Sequence, residues 1–251
     1  MRIACGSEKG NTRSTNEDRY AVKQIGDSYL LILADGIGGE VGGEIAASIA
    51  VDTMIDSFTE EFSGEDSLER ISDDELKDKF TSFYRKANYN ILIRAVNEKE
   101  LIGMGTTLTV VLIRGNRLFI AHIGDSRAYL IHGSGIEQLT RDHTYAAELV
   151  NSRSITAEEG RNHPGRSVLL KSLGVNAFIN PDCYCYNISY GDLVLLCTDG
   201  VYSVMEAHEI SECVKKHNDL DGCIVNLINK ATGNGSRDNI TAVLAYVRPE
   251  G

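Results

Sequence analysis

The sequence has no tryptophan, only three prolines and no cysteine pair at C-x-x-C spacing. With so few prolines, no repeat and no low-complexity tract, nothing marks an interdomain linker. Its six cysteines, Cys5, Cys183, Cys185, Cys197, Cys213 and Cys223, stand in a chain too long to depend on a disulfide framework, and they read as reduced thiols. The longest aliphatic runs, such as 29-YLLILA-34, are far too short to cross a bilayer. The opening MRIACGSEKG lacks the apolar core of a signal peptide. Positive charge is also scarce: 25 Lys and Arg against 36 Asp and Glu leave a net charge of −11. That argues against a nucleic-acid or anionic-membrane binder, which would need a basic patch. The expectation is a cytoplasmic protein, monomeric, with no nucleic-acid partner and no membrane insertion.

What is present is ordinary for a globular chain. At 251 residues and 42% hydrophobic content it can bury a sizeable core within one domain spanning 1–251. Short apolar runs recur and close on turn residues: 29-YLLILADG-36, 118-LFIAHIGDSRAYLI-131, 193-LVLLCTDG-200 and 240-ITAVLAYV-247. They read as strands. The stretch 106–125 reads as two strands around 114-RGNR-117, a hairpin and therefore antiparallel. Helical periodicity places a helix from Gly39 to Phe58, where the rows Val41/Ile45/Ile49 and Ala47/Val51/Ile55 form one broad apolar face. A second helix is expected from about Asp74 to about Asn97. A late one carries Leu220, Ile224, Leu227, Ile228 and Ala231, with Asp219 near its start. The acidic segment 56–75 reads as a surface connection. Mixed elements with antiparallel pairing predict an α+β sandwich, sheets packed together and helices outside.

Five segments place an acid beside a turn: 13-RSTNEDR-19, 35-DGIGG-39, 124-GDSR-127, 198-TDG-200 and 237-RDN-239. Asp35, Asp125 and Asp199 each follow an apolar run. A strand that ends on such a turn presents its carboxylate at the rim of a sheet. Several rims together would gather acids that repel one another unless cations are bound. Carboxylates, a backbone carbonyl and water suit Mg²⁺ or Mn²⁺. A single Asp-Gly is more often only a turn, so the recurrence carries the argument.

Taken in order, 13-RSTNED-18, 33-LADGIGG-39, 103-GMGTT-107, 123-IGDSRAYLI-131, 139-LTRDHT-144, 163-HPGR-166, 172-SLG-174, 194-VLLCTDG-200 and 237-RDNIT-241 resemble the metal-dependent protein phosphatases of type 2C, the PPM family, in its compact bacterial form. The resemblance covers nearly the whole chain. It implies a four-layer α-β-β-α sandwich of two mainly antiparallel sheets, and hydrolysis of phosphoserine and phosphothreonine on proteins by a hydroxide bridging two Mn²⁺ or Mg²⁺. Asp35 would bridge the metals, with the Gly36 carbonyl on the second. Asp199 and Asp238 would complete the first. Glu17 and Asp18 would complete the second, directly or through water. Asp125, with Asp199, matches a weaker third metal position. Arg13 matches the arginine that holds the substrate phosphate; its plain alternative is a surface ion pair with Glu17 or Asp18. The stretch 144–166 resembles the family's flap beside the site. Partners would be phosphorylated proteins, a bacterial Ser/Thr kinase and its targets first among them, with a phosphorylated regulator of a sigma-factor switch as the alternative.

One position departs from many eukaryotic relatives, which carry a histidine where this chain has Ile37. Ile37 cannot protonate a leaving group. His122, His143 and His163 are read as hydrogen-bonded structural residues. The glycines of 36-GIGGEVGG-43 fit neither phosphate-loop fingerprint and are read as room for metal and for helix packing. No cysteine has an arginine six residues on, so no phosphate-cradling cysteine loop is expected. A binding module that had lost its chemistry is the competing class. It would have no need of Arg13, Asp18, Asp35, Asp125, Asp199 and Asp238 together.

Overall fold

A computed structural model describes residues 1–63, 67–133, 135–215 and 219–248. In chain order, β1 (Arg2–Glu8), β2 (Asp18–Ile25) and β3 (Ser28–Ile37) lead into helix α1 (Gly39–Glu61). The short α2 (Ser67–Arg70) precedes the long α3 (Asp73–Asn97). Strands β4 (Gly105–Thr106), β5 (Leu108–Arg114), β6 (Arg117–Ile123), β7 (Arg127–His132) and β8 (Gly135–Gln138) follow. Then come the short helices α4 (Tyr145–Asn151) and α5 (Ala157–Asn162), and strands β9 (Asp182–Asn187) and β10 (Leu193–Cys197). Helices α6 (Asp199–Tyr202), α7 (Ala207–Lys215) and α8 (Leu220–Gly233) precede the closing strand β11 (Ile240–Tyr246).

The strands form two antiparallel sheets, ordered β1-β11-β10-β7-β8 and β2-β3-β5-β6-β9, with β4 paired to β3. The central strands are buried on both faces, which is why they read as unbroken apolar runs. Along β3, Leu31 and Leu33 enter the layer between the sheets beside Val111, Ile120, Val194 and Val243. Leu30, Ile32 and Ala34 face the opposite way, onto α1 and α3 through Ala47, Met54, Tyr84 and Ile91. Leu195 and Leu244 of the other sheet meet Ile210, Ile224 and Leu227 of α7 and α8. The result is the expected four-layer α-β-β-α sandwich. Ser72 caps α3 through a reciprocal box with Glu75, and the Asp219 side chain accepts from the Gly222 N–H at the start of α8.

The run 118–131 divides at its 124–127 turn between the two sheets: β6 ends at Ile123, and Gly124, with φ of 111°, turns the chain across to β7. A positive φ there suits glycine. The acidic segment 56–75 is not all connection, because α1 continues to Glu61, α2 occupies Ser67–Arg70 and α3 starts at Asp73; residues 64–66 of it lie outside the described residues. Among the described residues no helix is long and apolar enough to cross a membrane.

Candidate metal centre at the sandwich rim

Five acids meet at one edge of the sandwich because the strands that carry them end there. Asp18 opens β2 and is the cross-strand partner of Asp35 near the end of β3. Asp199 follows β10, and Asp238 precedes β11. These two strands are neighbours, and the Thr198 N–H donates to the Thr241 carbonyl at 3.1 Å. Asp125 sits in the crossover that joins the two sheets. Asp35 is fixed by its main chain: its N–H donates to Thr107 Oγ1 at 2.9 Å, and its carbonyl accepts from the Thr107 N–H at 2.8 Å and from Thr106 Oγ1 at 2.9 Å. The carboxylate is left to face the rim.

Glycine is required where β3 meets α1. A Cβ on Gly36 would stand 2.2 Å from the Gly43 carbonyl oxygen, and one on Gly43 would stand 2.7 Å from Glu17 Oε1. Gly200 is equally confined, with the Asn239 carbonyl oxygen 2.0 Å from where its Cβ would be. These contacts accord with reading the 36–43 glycines as packing room.

The electrostatics is that of a site short of positive charge. Burial, then Asp18, Asp199, Asp125 and Asp238, push the Asp35 carboxyl well above its ordinary range. Burial raises Asp18 to about 7, against hydrogen bonds from Thr241 and Thr198, with Asp199 and Asp238 adding to the rise. Asp125 is raised to about 7 by burial and by Asp199 and Asp142, and Asp199 to about 6 by burial and Asp238. Three buried carboxylate oxygens, Glu17 Oε1, Asp18 Oδ1 and Asp199 Oδ1, have no hydrogen-bond partner. A buried, unpartnered carboxylate oxygen is costly, and hard divalent cations would satisfy it. The donor set therefore fits Mn²⁺ or Mg²⁺. Among the described residues no group of three or more acidic, histidine or cysteine side chains is already placed to hold one ion.

Arg13, largely exposed, donates from Nη2 to Asp238 Oδ2 at 2.7 Å. The ion pair weighed from sequence thus forms with Asp238 and not with Glu17 or Asp18. The three histidines are hydrogen-bonded. His122 Nδ1 meets Thr109 Oγ1 at 2.9 Å. His143 Nδ1 accepts from the Gly124 N–H at 3.0 Å while Nε2 lies 3.1 Å from Asp182 Oδ2, so the neutral ring carries its proton on Nε2. His163 Nδ1 accepts from the Gly165 N–H at 3.0 Å. In 144–166 the chain forms α4 and α5, each capped by a threonine.

Sequence reasoning passed over two groups. Asn239, 3% exposed, accepts from the Glu17 N–H at 2.8 Å and donates to the carbonyls of Lys9 and Thr15, both at 2.9 Å. It clamps the loop that carries Arg13. Arg127 grips Asp142 through Nε and Nη2, at 3.0 and 2.7 Å, and stacks on Tyr202 at 3.6 Å, just beneath Asp125. The only sequence signal for either is its place beside an aspartate in 237-RDN-239 and 124-GDSR-127.

The profile of the protein phosphatase 2C family matches residues 5–245. The chain is 32% identical over 239 residues to the serine/threonine phosphatase stp of Listeria monocytogenes, covering 95% of this chain and 92% of the relative. The S. agalactiae serine/threonine phosphatase superposes with a TM-score of 0.88 at 29% identity, covering 98% of this chain and 99% of the other. The catalytic domain of the phosphatase PstP, solved with two manganese ions, superposes with a TM-score of 0.82 at 31% identity, covering 99% and 98%.

Proposed function

The chain belongs to the protein phosphatase 2C family and is a metal-dependent serine/threonine protein phosphatase, and we propose that its chemistry is carried by the acids gathered at the sandwich rim. The observation that supports this most is the set of buried, unpartnered oxygens on Glu17, Asp18 and Asp199, beside an Asp35 that faces Asp18 across the β2–β3 pair. Asp35 would serve both cations, and the Gly36 carbonyl the second. Asp199 and Asp238 would serve one, Glu17 and Asp18 the other, and Asp125 with Asp199 a third, weaker position. Mn²⁺ or Mg²⁺ held there would supply Lewis acidity toward the phosphoryl group and toward water.

The chain's own residues do the rest. Arg13 presents a planar fork of donors at the mouth, suited to phosphate oxygens; Asp238 holds it in place at 2.7 Å. Asn239 fixes the loop on which Arg13 rides. Ile37 offers no proton; the donor proposed for the leaving alkoxide is water held beside Asp125. The segment 144–166 is proposed as a flap bordering the site, within a single domain over 1–251.

The substrates proposed are phosphorylated proteins, chiefly the targets of a bacterial Ser/Thr kinase, and the setting is the cytoplasm, where the six cysteines stay reduced. Phosphoproteomics of a deletion strain tests this. Phosphoserine and phosphothreonine sites shared with one Ser/Thr kinase should accumulate. A rise confined to one sigma-factor regulator would favour the narrower alternative.

A further inference from the structure

The segment 168–178 runs along the rim from α4 to the Asp35 end of β3. It is pinned at two places: Leu169 bridges Thr144, and Leu173 bridges Thr106. Thr106 in turn donates its hydroxyl to the Asp35 carbonyl at 2.9 Å. The far end is held by α3. Asn88 accepts from the Gly174 N–H at 2.7 Å and donates to the Asn176 carbonyl at 2.8 Å, and Arg85 donates to Asn180 at 2.6 Å. Ile179 is buried.

This fixed segment turns four large apolar side chains to solvent: Val168 is 53% exposed, Leu170 46%, Val175 57% and Phe178 96%. Single exposed apolar residues are ordinary, but four on one well-anchored segment mark a surface built to be covered. The strip is continuous with the site. Val175 Cγ2 lies 3.2 Å from where a Cβ on Gly105 would stand, and Gly105 is the cross-strand partner of Ile37. It also offers little charge to a partner, because Lys171 is paired with Asp182 at 2.9 Å. The anchoring matters for energetics: a surface already held in place loses little entropy when it is covered.

We propose that residues 168–178 form a docking strip for an extended stretch of the phosphorylated substrate, taking aliphatic or aromatic side chains that flank the phosphoserine or phosphothreonine. This rests on the phosphatase reading of the rim. The test uses the full chain with Mn²⁺ and two phosphothreonine peptides that differ only in flanking residues, leucine in one and serine in the other. The wild type should hydrolyse the leucine peptide with kcat/KM about tenfold higher, as burial of one or two apolar side chains implies. In Phe178→Ser, whose side chain is too exposed for its loss to disturb packing, the ratio should fall. In Val175→Ser/Phe178→Ser it should drop below about threefold. Equal kcat/KM on the two peptides in the wild type, or a ratio that survives in the double variant, overturns the strip. Hydrolysis of neither peptide by the wild type overturns the phosphatase reading and the strip with it.

Discussion

Asn239 has both ends of its amide committed to the loop 9–17, and each partner is a backbone group. Removing it leaves one donor and two acceptors to find water in a buried place, at about 1–3 kcal/mol for an unsatisfied group. We expect Asn239→Ala to lose roughly 2 kcal/mol of stability by this reasoning and to raise KM more than it lowers kcat, because Arg13 is no longer held. In an Arg13→Ala background the same change should have little further effect on kcat/KM. Full additivity of the two would mean that Asn239 does not act through Arg13. Asp35→Ala should abolish turnover and yet leave a metal-free protein that is at least as stable as the wild type, since burial and the surrounding Asp18, Asp199, Asp125 and Asp238 all disfavour the Asp35 carboxylate. Retained turnover would remove Asp35 from the centre. Asp35 and Asp199 were legible in the sequence because each closes an apolar run. Asn239 was not, because its partners are main-chain atoms more than two hundred residues away, which no local pattern encodes.

At the scale of elements, legibility followed burial. β3, β10 and β11 are buried on both faces and stand out as apolar runs. The edge strands β1, β2 and β9 are mostly half-buried or exposed, and the sequence reading did not separate them from loops. The β6–β7 crossover was half legible: the turn at 124–127 shows in the sequence, but no local pattern says that the strand after it joins the other sheet. That turn carries Asp125 between the sheets, with Tyr202 and the Arg127–Asp142 pair around it. Asp125→Ala should retain the fold, yet lose much of kcat. The loss should be larger on phosphopeptides, whose alkoxide needs a proton, than on para-nitrophenyl phosphate, whose phenolate needs little help. Equal losses on both substrates, at an unchanged melting temperature, would count against a part in protonating the leaving group.

Across the whole molecule, the acidic rim ties stability to pH and to metal. In the metal-free protein Asp18 and Asp125 titrate at about 7 and Asp199 at about 6, against ~4 for an unfolded carboxyl. A raised folded pKa means that the native state binds more protons than the unfolded chain between those limits. This contribution is therefore fully present below pH ~4 and is lost as pH rises through 6 and 7. The metal-free melting temperature should thus fall between pH 5.5 and pH 8. Saturating Mn²⁺ at pH 8 should restore it by about 5–10 °C, the effect of roughly 2.7 kcal/mol at a hundredfold excess over Kd. The dependence should also reverse sign, because protons compete with the cations. A metal-free melting temperature that rises across this range would show the acids to be satisfied without metal.

The most direct test of the account is phosphate release from a phosphothreonine peptide by protein stripped of metal and assayed in excess EDTA, then again after Mn²⁺ is restored. With the acids at the sandwich rim as the catalytic centre, turnover should be absent in EDTA and return with Mn²⁺, and Asp199→Ala should stay silent in both. Undiminished turnover of the stripped wild type in EDTA would contradict a metal-dependent centre at this rim.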